Sequence, residues 1–256
     1  MTIESYIPTE ILRPFINKYI IIESKSEIAN RVLPNTSLTM AFRFKGVNFY
    51  NTGPEKNELP KFAFSGLRKT VQLINYLPNT STLVVLFKEC GASALFKDPI
   101  HELFERSISL DNFIQTAELT QIEDKLADAR TNSQRVAIIE QLLIHKLIVQ
   151  QTDKLILESV RIIHNANGFL KISELANSLC ISQDAFEKRF RRLVGATPKQ
   201  FSSIVRMASI VRSTPSERFL DLAFDRGYYD QSHFNKDFKS FTGLTPTQFY
   251  NSSTFW

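Results

Sequence analysis

Two segments of this 256-residue chain concentrate side chains that could bind a nucleic acid. Each is built around two phenylalanines four residues apart, Phe186 and Phe190 in one and Phe234 and Phe238 in the other. In a helix this spacing puts both rings on one face and leaves the opposite face polar. The side chains of the two polar faces are Gln183, Asp184, Glu187, Lys188, Arg191 and Gln231, Ser232, Asn235, Lys236, Lys239.

The chemistry of these faces suits double-stranded DNA. Arginine and lysine bind phosphates and guanine edges, glutamine and asparagine pair with adenine, and a carboxylate accepts a hydrogen bond from cytosine. Residues 188–192, KRFRR, concentrate positive charge where backbone phosphates would pass. The alternative is a basic face that is only solvated.

The two segments belong to an internal repeat. Residues 195–201 read GATPKQF and residues 243–249 read GLTPTQF, a shift of 48 positions that the phenylalanine pairs also keep. Similarity at a fixed shift indicates a duplicated supersecondary unit, and two copies are too few for a solenoid. We therefore expect a paired module.

The sequence of each copy predicts a helix, a short break and a second helix. This arrangement is a helix-turn-helix. Ser182 and Asp230 follow the breaks and can cap the second helices by accepting hydrogen bonds from free backbone N–H groups. The breaks themselves contain Cys180 and Gly227. The apolar stripes of the first helices are Ile172, Leu175, Ala176, Leu179 and Phe219, Leu222, Ala223.

A further helix is predicted after each unit. Residues 197–200 and 245–248 place threonine at the N-cap, proline at the first helical position and glutamine at the third, which is a capping box. The helix between the units has one apolar face and is expected to be a rigid connector. That face consists of Phe201, Ile204, Val205, Ala208 and Val211.

The N-terminal part has the pattern of an antiparallel sheet. Apolar and polar residues alternate from Leu38 to Lys45, and further short strands are predicted at 19–22, 62–64 and 83–87. Aromatic side chains between Phe15 and Phe113 could line a ligand cavity between sheet faces or fill a core.

Two helical patterns follow, at residues 115–130 and 133–151. The second has an apolar stripe that either packs on its own domain or forms a homodimer seam. The stripe consists of Val136, Ile139, Leu142, Leu143 and Leu147.

Composition and charge exclude several classes of protein. Two cysteines are too few for a disulfide framework or a four-ligand zinc site. The sequence has neither a run of eighteen apolar residues nor the pattern of a signal peptide, so we expect a cytoplasmic chain without a membrane span. Residues 153–256 carry 14 basic and 10 acidic side chains, a surplus of +4, against 17 and 16 before them. This surplus favours a polyanionic partner.

The sequence contains no recognisable catalytic constellation. It has no glycine-rich phosphate loop, no nucleophile elbow and no His-x-x-x-His or Cys-x-x-Cys pair, so we expect neither enzyme activity nor a metal or other cofactor. Cys90 is interpreted as a core residue, with a reactive thiol as the alternative.

Residues 155–250 resemble the DNA-binding domain of the AraC/XylS-type transcriptional regulators. The most specific part is 227–249, with a Gly-Tyr turn, the string DQSHF from Asp230 and the Thr245-Pro246 pair. Residues 84–103 resemble the end of the β-rich, cupin-like domain of one subset of the family. Cys180 stands where the family often has glycine, and Asp184 and Glu187 are acidic where other members are often uncharged or basic.

Two roles are expected on the recognition helices. The resemblance implies that the positions of Asp184, Glu187, Lys188, Gln231, Ser232, Asn235 and Lys236 approach bases, and side-chain chemistry suggests the other assignments. The residues expected to read bases are Gln183, Asp184, Glu187, Lys188, Gln231, Ser232, Asn235 and Lys236. The residues expected to contact the DNA backbone are Arg189, Arg191, Arg192 and Lys239.

We therefore expect an α+β chain with a β-rich, cupin-like sensor domain (1–110), a helical linker with possible dimerisation helices (111–152) and an all-α DNA-binding domain with two helix-turn-helix units (153–256). Its expected function is effector-responsive, sequence-specific transcription regulation, with two helices entering successive major grooves. The partners would be double-stranded DNA, a small-molecule effector, a second copy and RNA polymerase. The alternative is a non-transcriptional small-molecule-binding protein whose helical tail contacts other proteins.

Overall fold

The chain folds into a β-rich part followed by a helical part. The computed structural model describes residues 1–52, 55–148, 153–212, 227–228 and 230–251. Within these residues, strands lie between Thr2 and Ser109 and α-helices follow from Thr116 onward. This order confirms the predicted fold class, an antiparallel β domain followed by helices.

The strands form two antiparallel sheets. The strands are β1 (Thr2–Tyr6), β2 (Ile16–Ser24), β3 (Ile28–Val32), β4 (Thr39–Lys45), β5 (Asn48–Thr52), β6 (Glu55–Glu58), β7 (Phe62–Ser65), β8 (Gln72–Tyr76), β9 (Thr80–Phe87) and β10 (Ser107–Ser109). The larger sheet has the order β1-β2-β9-β4-β7-β10, and the smaller has the order β3-β8-β5-β6.

The four strands predicted from the sequence are the inner strands of the larger sheet. Strands β2, β9, β4 and β7 are neighbours there, with Met40 of β4 opposite Val85 of β9 and Phe64 of β7. All three side chains are buried. The smaller sheet was not predicted because its strands are mostly half-buried or exposed and lack a clear apolar alternation.

Aromatic rings fill the interior beside the larger sheet. The ring of Phe64 has its centroid 6.1 Å from that of Phe87, 5.4 Å from that of Phe96 and 5.2 Å from that of Phe113. Rings at these distances pack edge to face or tilted, as in a protein core. The phenylalanines of this cluster therefore pack against one another as part of the core.

The helices are α1 (Thr116–Asp128), α2 (Asn132–Lys146), α3 (Lys154–Asn165), α4 (Ile172–Ser178), α5 (Gln183–Val194), α6 (Pro198–Val211), α7 (Gln231–Thr242) and α8 (Pro246–Asn251). Short 3₁₀ turns lie at Ala92–Ala94, Ile100–Leu103 and Leu110–Asn112. No helix in the described ranges combines the length and apolar character needed to cross a membrane.

The apolar stripe of α2 packs within its own chain. Val136, Ile139, Leu142 and Leu143 are buried in the core, and Leu147 is half-buried against it. The stripe is therefore not available as a homodimer seam, and the packing alternative is correct for it. The helix also ends at Lys146, earlier than the predicted 151, and residues 149–152 lie outside the described ranges.

Candidate nucleic-acid interface

The first helix-turn-helix unit is present as predicted. It consists of α4 and α5, and Ser182 Oγ accepts the backbone N–H of Ala185 at 3.4 Å to cap α5. Cys180 in the turn has φ 55°. This left-handed conformation costs a non-glycine residue roughly 1–2 kcal/mol.

The two faces of α5 divide as the sequence predicts. Phe186 and Phe190 are fully buried, and the Phe190 ring packs 5.5 Å from the ring of Phe201 in α6. The opposite face is open to solvent, with Glu187 half-buried at its edge. The exposed side chains of this face are Gln183, Asp184, Lys188, Arg191 and Arg192.

Carboxylates and cations lie side by side on the open face of α5. Gln183 Nε2 donates a hydrogen bond to Glu187 Oε1 at 2.8 Å. This face also has an open pocket with a volume of about 290 Å³. The pocket is lined by Asp184, Glu187, Lys188, Arg191 and Thr197. The face therefore offers both hydrogen-bond acceptors and positively charged donors to a ligand that docks against it.

Arg189 lies on the flank of α5 that faces α3. Its Nε donates to Asp153 Oδ2 at 2.5 Å, while Asp153 Oδ1 accepts the backbone N–H of Ile156 at 3.2 Å and caps α3. Arg189 thus joins α5 to α3. Its assignment to the DNA backbone stays a prediction, and a phosphate would have to compete with Asp153 for it.

The connector helix α6 begins with the predicted capping box. Thr197 N–H donates to Gln200 Oε1 at 2.8 Å, and Gln200 N–H donates to Thr197 Oγ1 at 3.2 Å. The apolar face of the helix is buried at Phe201, Ile204 and Val205 and half-buried at its end. The connector helix is therefore anchored both at its start and along its apolar face.

The described part of the second unit repeats the first. Asp230 Oδ1 accepts the backbone N–H of His233 at 2.7 Å and caps α7. Gly227 in the turn has φ 80°, and a Cβ there would lie 2.3 Å from Cε2 of Phe169. Another residue would be strained at this φ, and the exposed Phe169 ring would have to move to admit its Cβ. The predicted first helix, with Phe219, Leu222 and Ala223, lies outside the described residues.

The faces of α7 also divide as predicted. Phe234 and Phe238 are fully buried. Asn235 is half-buried at the edge of the polar face. The exposed side chains of this face are Gln231, Ser232, Lys236 and Lys239. A second capping box follows, in which Thr245 N–H donates to Gln248 Oε1 at 3.0 Å.

Tyr228 fixes α7 to the connector helix, a role that sequence reasoning missed. The Arg206 guanidinium of α6 lies 4.7 Å from the centre of the Tyr228 ring, and the Tyr228 hydroxyl donates to Asp237 Oδ2 at 3.3 Å. Burial raises the pKa of Tyr228 to about 12. The Gly-Tyr turn was visible in the sequence, but its contacts with α6 and α7 were not.

The C-terminal ends of α5 and α7 both face the β-rich part. The capping residues Gly195 and Gly243 are equivalent in the repeat, with φ 86° and 78°. A Cβ on Gly195 would lie 3.5 Å from the Ile100 carbonyl, and one on Gly243 would lie 3.3 Å from Val71 Cγ1. Val71 N–H also donates to the carbonyl of Ser240 in α7 at 3.0 Å. The β-rich part therefore touches both helix-turn-helix units.

Another contact between the two parts is centred on Glu89, just after β9. Its Oε1 lies 3.0 Å from His164 Nε2 of α3 and accepts the Thr36 hydroxyl at 2.7 Å. Burial acts to raise the pKa of Glu89, but the hydrogen bonds from His164 and Thr36 outweigh it and hold the pKa below its usual value. Glu89 therefore favours its charged form in the folded chain.

Cys90 does not have the properties of a reactive thiol. Burial, with smaller contributions from the charges of Glu89 and Asp153, raises the pKa of Cys90 to about 12. A reactive cysteine needs the opposite shift, toward thiolate at neutral pH. In the described part of the chain no three histidine, cysteine, aspartate or glutamate side chains are grouped to hold a metal ion.

Two family models match the chain. Residues 175–252 match one described as a helix-turn-helix domain, and residues 4–109 match one described as a domain of unknown function (DUF6597). The first match includes α5, α6 and α7. The second includes nearly all of the β-rich part.

Curated relatives and solved structures extend the comparison. An uncharacterized HTH-type transcriptional regulator of Haemophilus influenzae is 26% identical over 163 residues, covering 60% of this chain and 53% of that protein. The Msm operon regulatory protein of Streptococcus mutans is 26% identical over 153 residues, covering 58% and 55%. The chain spans about half the length of these curated relatives. ToxT from Vibrio cholerae aligns in structure with a TM-score of 0.45 and 10% identity, over 92% of this chain and 98% of that one.

Proposed function

We propose that this chain, whose residues 175–252 are a helix-turn-helix domain of the AraC type, is a sequence-specific DNA-binding transcription regulator. One observation carries the proposal. In α5 and in α7 the phenylalanine pair is fully buried while the opposite face is polar, basic and open. An open polar face is ordinary for a surface helix. Here it recurs on the second helix of two helix-turn-helix units, which is the helix that such units place in the major groove.

The two helices would act as recognition helices in successive major grooves, about 34 Å apart on one side of the duplex. Phosphate contacts fix the register of a protein on DNA, and base contacts specify the sequence. The base contacts would come from Gln183, Asp184, Glu187, Lys188, Gln231, Ser232, Asn235 and Lys236. The phosphate contacts would come from Arg191, Arg192, Lys239 and, once released from Asp153, Arg189.

The β-rich part, taken as residues 1–110, would be a cupin-like regulatory domain that responds to a small molecule. Its contacts with both units, at Gly195 and Gly243, support a regulatory role because any movement of this part would reach the recognition helices. The protein would act in the cytoplasm on promoter DNA, as a homodimer and with RNA polymerase as a further partner. Residues 111–152 would link the two domains, and a dimer would have to use a surface other than the buried stripe of α2.

Electrophoretic mobility shift of the full chain with genomic fragments tests the proposal. Binding should be retained on a small subset of fragments and should fall steeply as salt rises, because phosphate contacts release counterions. If no fragment were retained in a salt-dependent way, the non-transcriptional alternative would be favoured.

Replacing Arg191 by alanine should weaken binding to all sequences and reduce the salt slope by about one unit. The reason is that a phosphate contact contributes affinity without sequence information. Binding constants measured at several salt concentrations report both quantities. Arg130→Ala, an equally exposed arginine between α1 and α2, is the matched control and should leave the slope unchanged.

A further inference from the structure

Resting on the proposed function, we propose that the two recognition helices require different bases. Helix α5 would select a C·G pair and helix α7 an A·T pair read at adenine. The DNA site of one chain would then consist of two unlike halves in a fixed order. The proposal rests on positions that the repeat makes equivalent but that carry different chemical groups.

On α5 a carboxylate and a lysine line the same pocket. Glu187 and Lys188, both among the residues proposed to contact bases, line the pocket of about 290 Å³ on this face. In the major groove a C·G pair presents the cytosine N4 amino group as donor and guanine O6 and N7 as acceptors. The carboxylate of Glu187 accepts from the first and the ammonium group of Lys188 donates to the second, so this pair of side chains matches a C·G pair.

The carboxylate of Glu187 is already oriented. Gln183 Nε2 donates to its Oε1 at 2.8 Å, which restrains the side chain and leaves Oε2 to accept from a base. Asp184 adds a second acceptor-only group to the same surface. Adenine also presents an amino donor, N6, but the N7 acceptor lies beside it, and a charged carboxylate cannot donate a hydrogen bond to N7. Helix α5 is thus built to disfavour adenine.

On α7 the equivalent positions are neutral. Ser232 replaces Asp184 and Asn235 replaces Glu187 at the shift of 48. Gln231 and Asn235 each carry an amide with both a donor and an acceptor, the combination that pairs with adenine N6 and N7. Gln183 is the α5 equivalent of Gln231, but its amide donates to Glu187. The amide of Asn235 is therefore the adenine-matching group that α7 has and α5 lacks.

The order of the halves is fixed because the two helices are held in one frame. The connector α6 has its apolar face buried, and the Val71 contact with Ser240 holds the end of α7 against the β-rich part. The chain cannot exchange α5 and α7 on the DNA without turning round. A palindromic or directly repeated site for one chain is therefore not expected.

Selection of binding sites from a random duplex pool by the full chain is the test. The wild-type chain should enrich a motif with a preferred C·G pair in one half and a preferred A·T pair in the other, about one helical turn apart. Glu187→Gln should change the preferred base of the first half from cytosine to adenine, by about tenfold in relative affinity, and leave the second half unchanged.

Two further variants complete the test. Asn235→Glu should make the reverse change, adenine to cytosine, in the second half only. Glu158→Gln removes the same charge from an exposed side chain of α3 and should leave both halves unchanged.

The outcomes separate the inference from the proposed function. An enriched motif with two identical halves, or one that neither Glu187→Gln nor Asn235→Glu alters, would overturn the inference and leave DNA binding established. Failure of the wild-type chain to enrich any motif would instead contradict the proposed function itself.

Discussion

At the scale of single residues, Cys180 is held in a conformation that glycine adopts at lower cost. Its φ is 55° and its side chain is exposed, so no buried contact depends on it. The left-handed conformation costs a non-glycine residue roughly 1–2 kcal/mol. Glycine avoids this cost, but it loses roughly 0.5–1 kcal/mol on folding because its unfolded chain has more conformational freedom.

Cys180→Gly should therefore raise the free energy of unfolding by about 0.5–1 kcal/mol. Urea unfolding followed by circular dichroism measures the change. Cys180→Ala keeps the left-handed strain and should give no comparable gain. If alanine stabilised the chain as much as glycine, the effect would come from loss of the thiol and not from the backbone.

The sequence was sufficient to identify the side chains on the polar faces of α5 and α7 but not all of their partners. Helical spacing alone separates Phe186 and Phe190 from the exposed positions, because it depends only on local geometry. The ion pair between Arg189 and Asp153 joins residues 36 positions apart. Such a pair becomes visible only once α3 and α5 are packed together.

At the scale of elements, the capping boxes decide where helices begin. Thr197→Ala removes the acceptor for Gln200 N–H at the start of α6 and should cost about 1 kcal/mol of unfolding free energy. Thr245→Ala makes the same change at α8, a six-residue helix, and should cost less than half as much. Equal losses in urea unfolding would show that the connector contributes no more to stability than the last helix.

The strands show which elements a sequence pattern can predict. The inner strands of the larger sheet have patterns strong enough to identify, an apolar-polar alternation in β4 and an apolar run in β9. Strand β6 reads EKNE and carries no apolar signal, so its strand conformation follows from pairing with β5 and not from its own composition. The apolar stripe of α2 was identified correctly, but the pattern alone does not show which surface packs against it.

At the scale of the whole molecule, the Glu89 contact makes the stability of the fold depend on pH. Because folding lowers the pKa of Glu89, its charged form stabilises the chain at pH values above the unfolded carboxyl value of about 4.3. That contribution is lost as the pH falls through the lower, folded pKa.

Glu89→Gln should therefore reduce stability at pH 7 and flatten its decline as the pH falls below the unfolded carboxyl value. Urea unfolding of both proteins at a series of pH values provides the measurement. Glu123→Gln, on α1 away from this contact, is the control. Parallel curves for wild type and Glu89→Gln would mean that the carboxyl titrates alike in the folded and unfolded chains.

The two capping glycines, Gly195 and Gly243, abut the same β-rich part from different units. Together with α6 these contacts connect the two units and the β-rich part in a closed circuit. A change in the distance between the units would therefore strain a contact elsewhere in the circuit. A duplex with one extra base pair between its two halves would have to break one of these contacts, which include the backbone hydrogen bond from Val71 to Ser240. The range of spacer lengths that the protein accepts between the two DNA halves would then depend on the loop that contains Val71, which lies outside the proposed DNA-contacting surface.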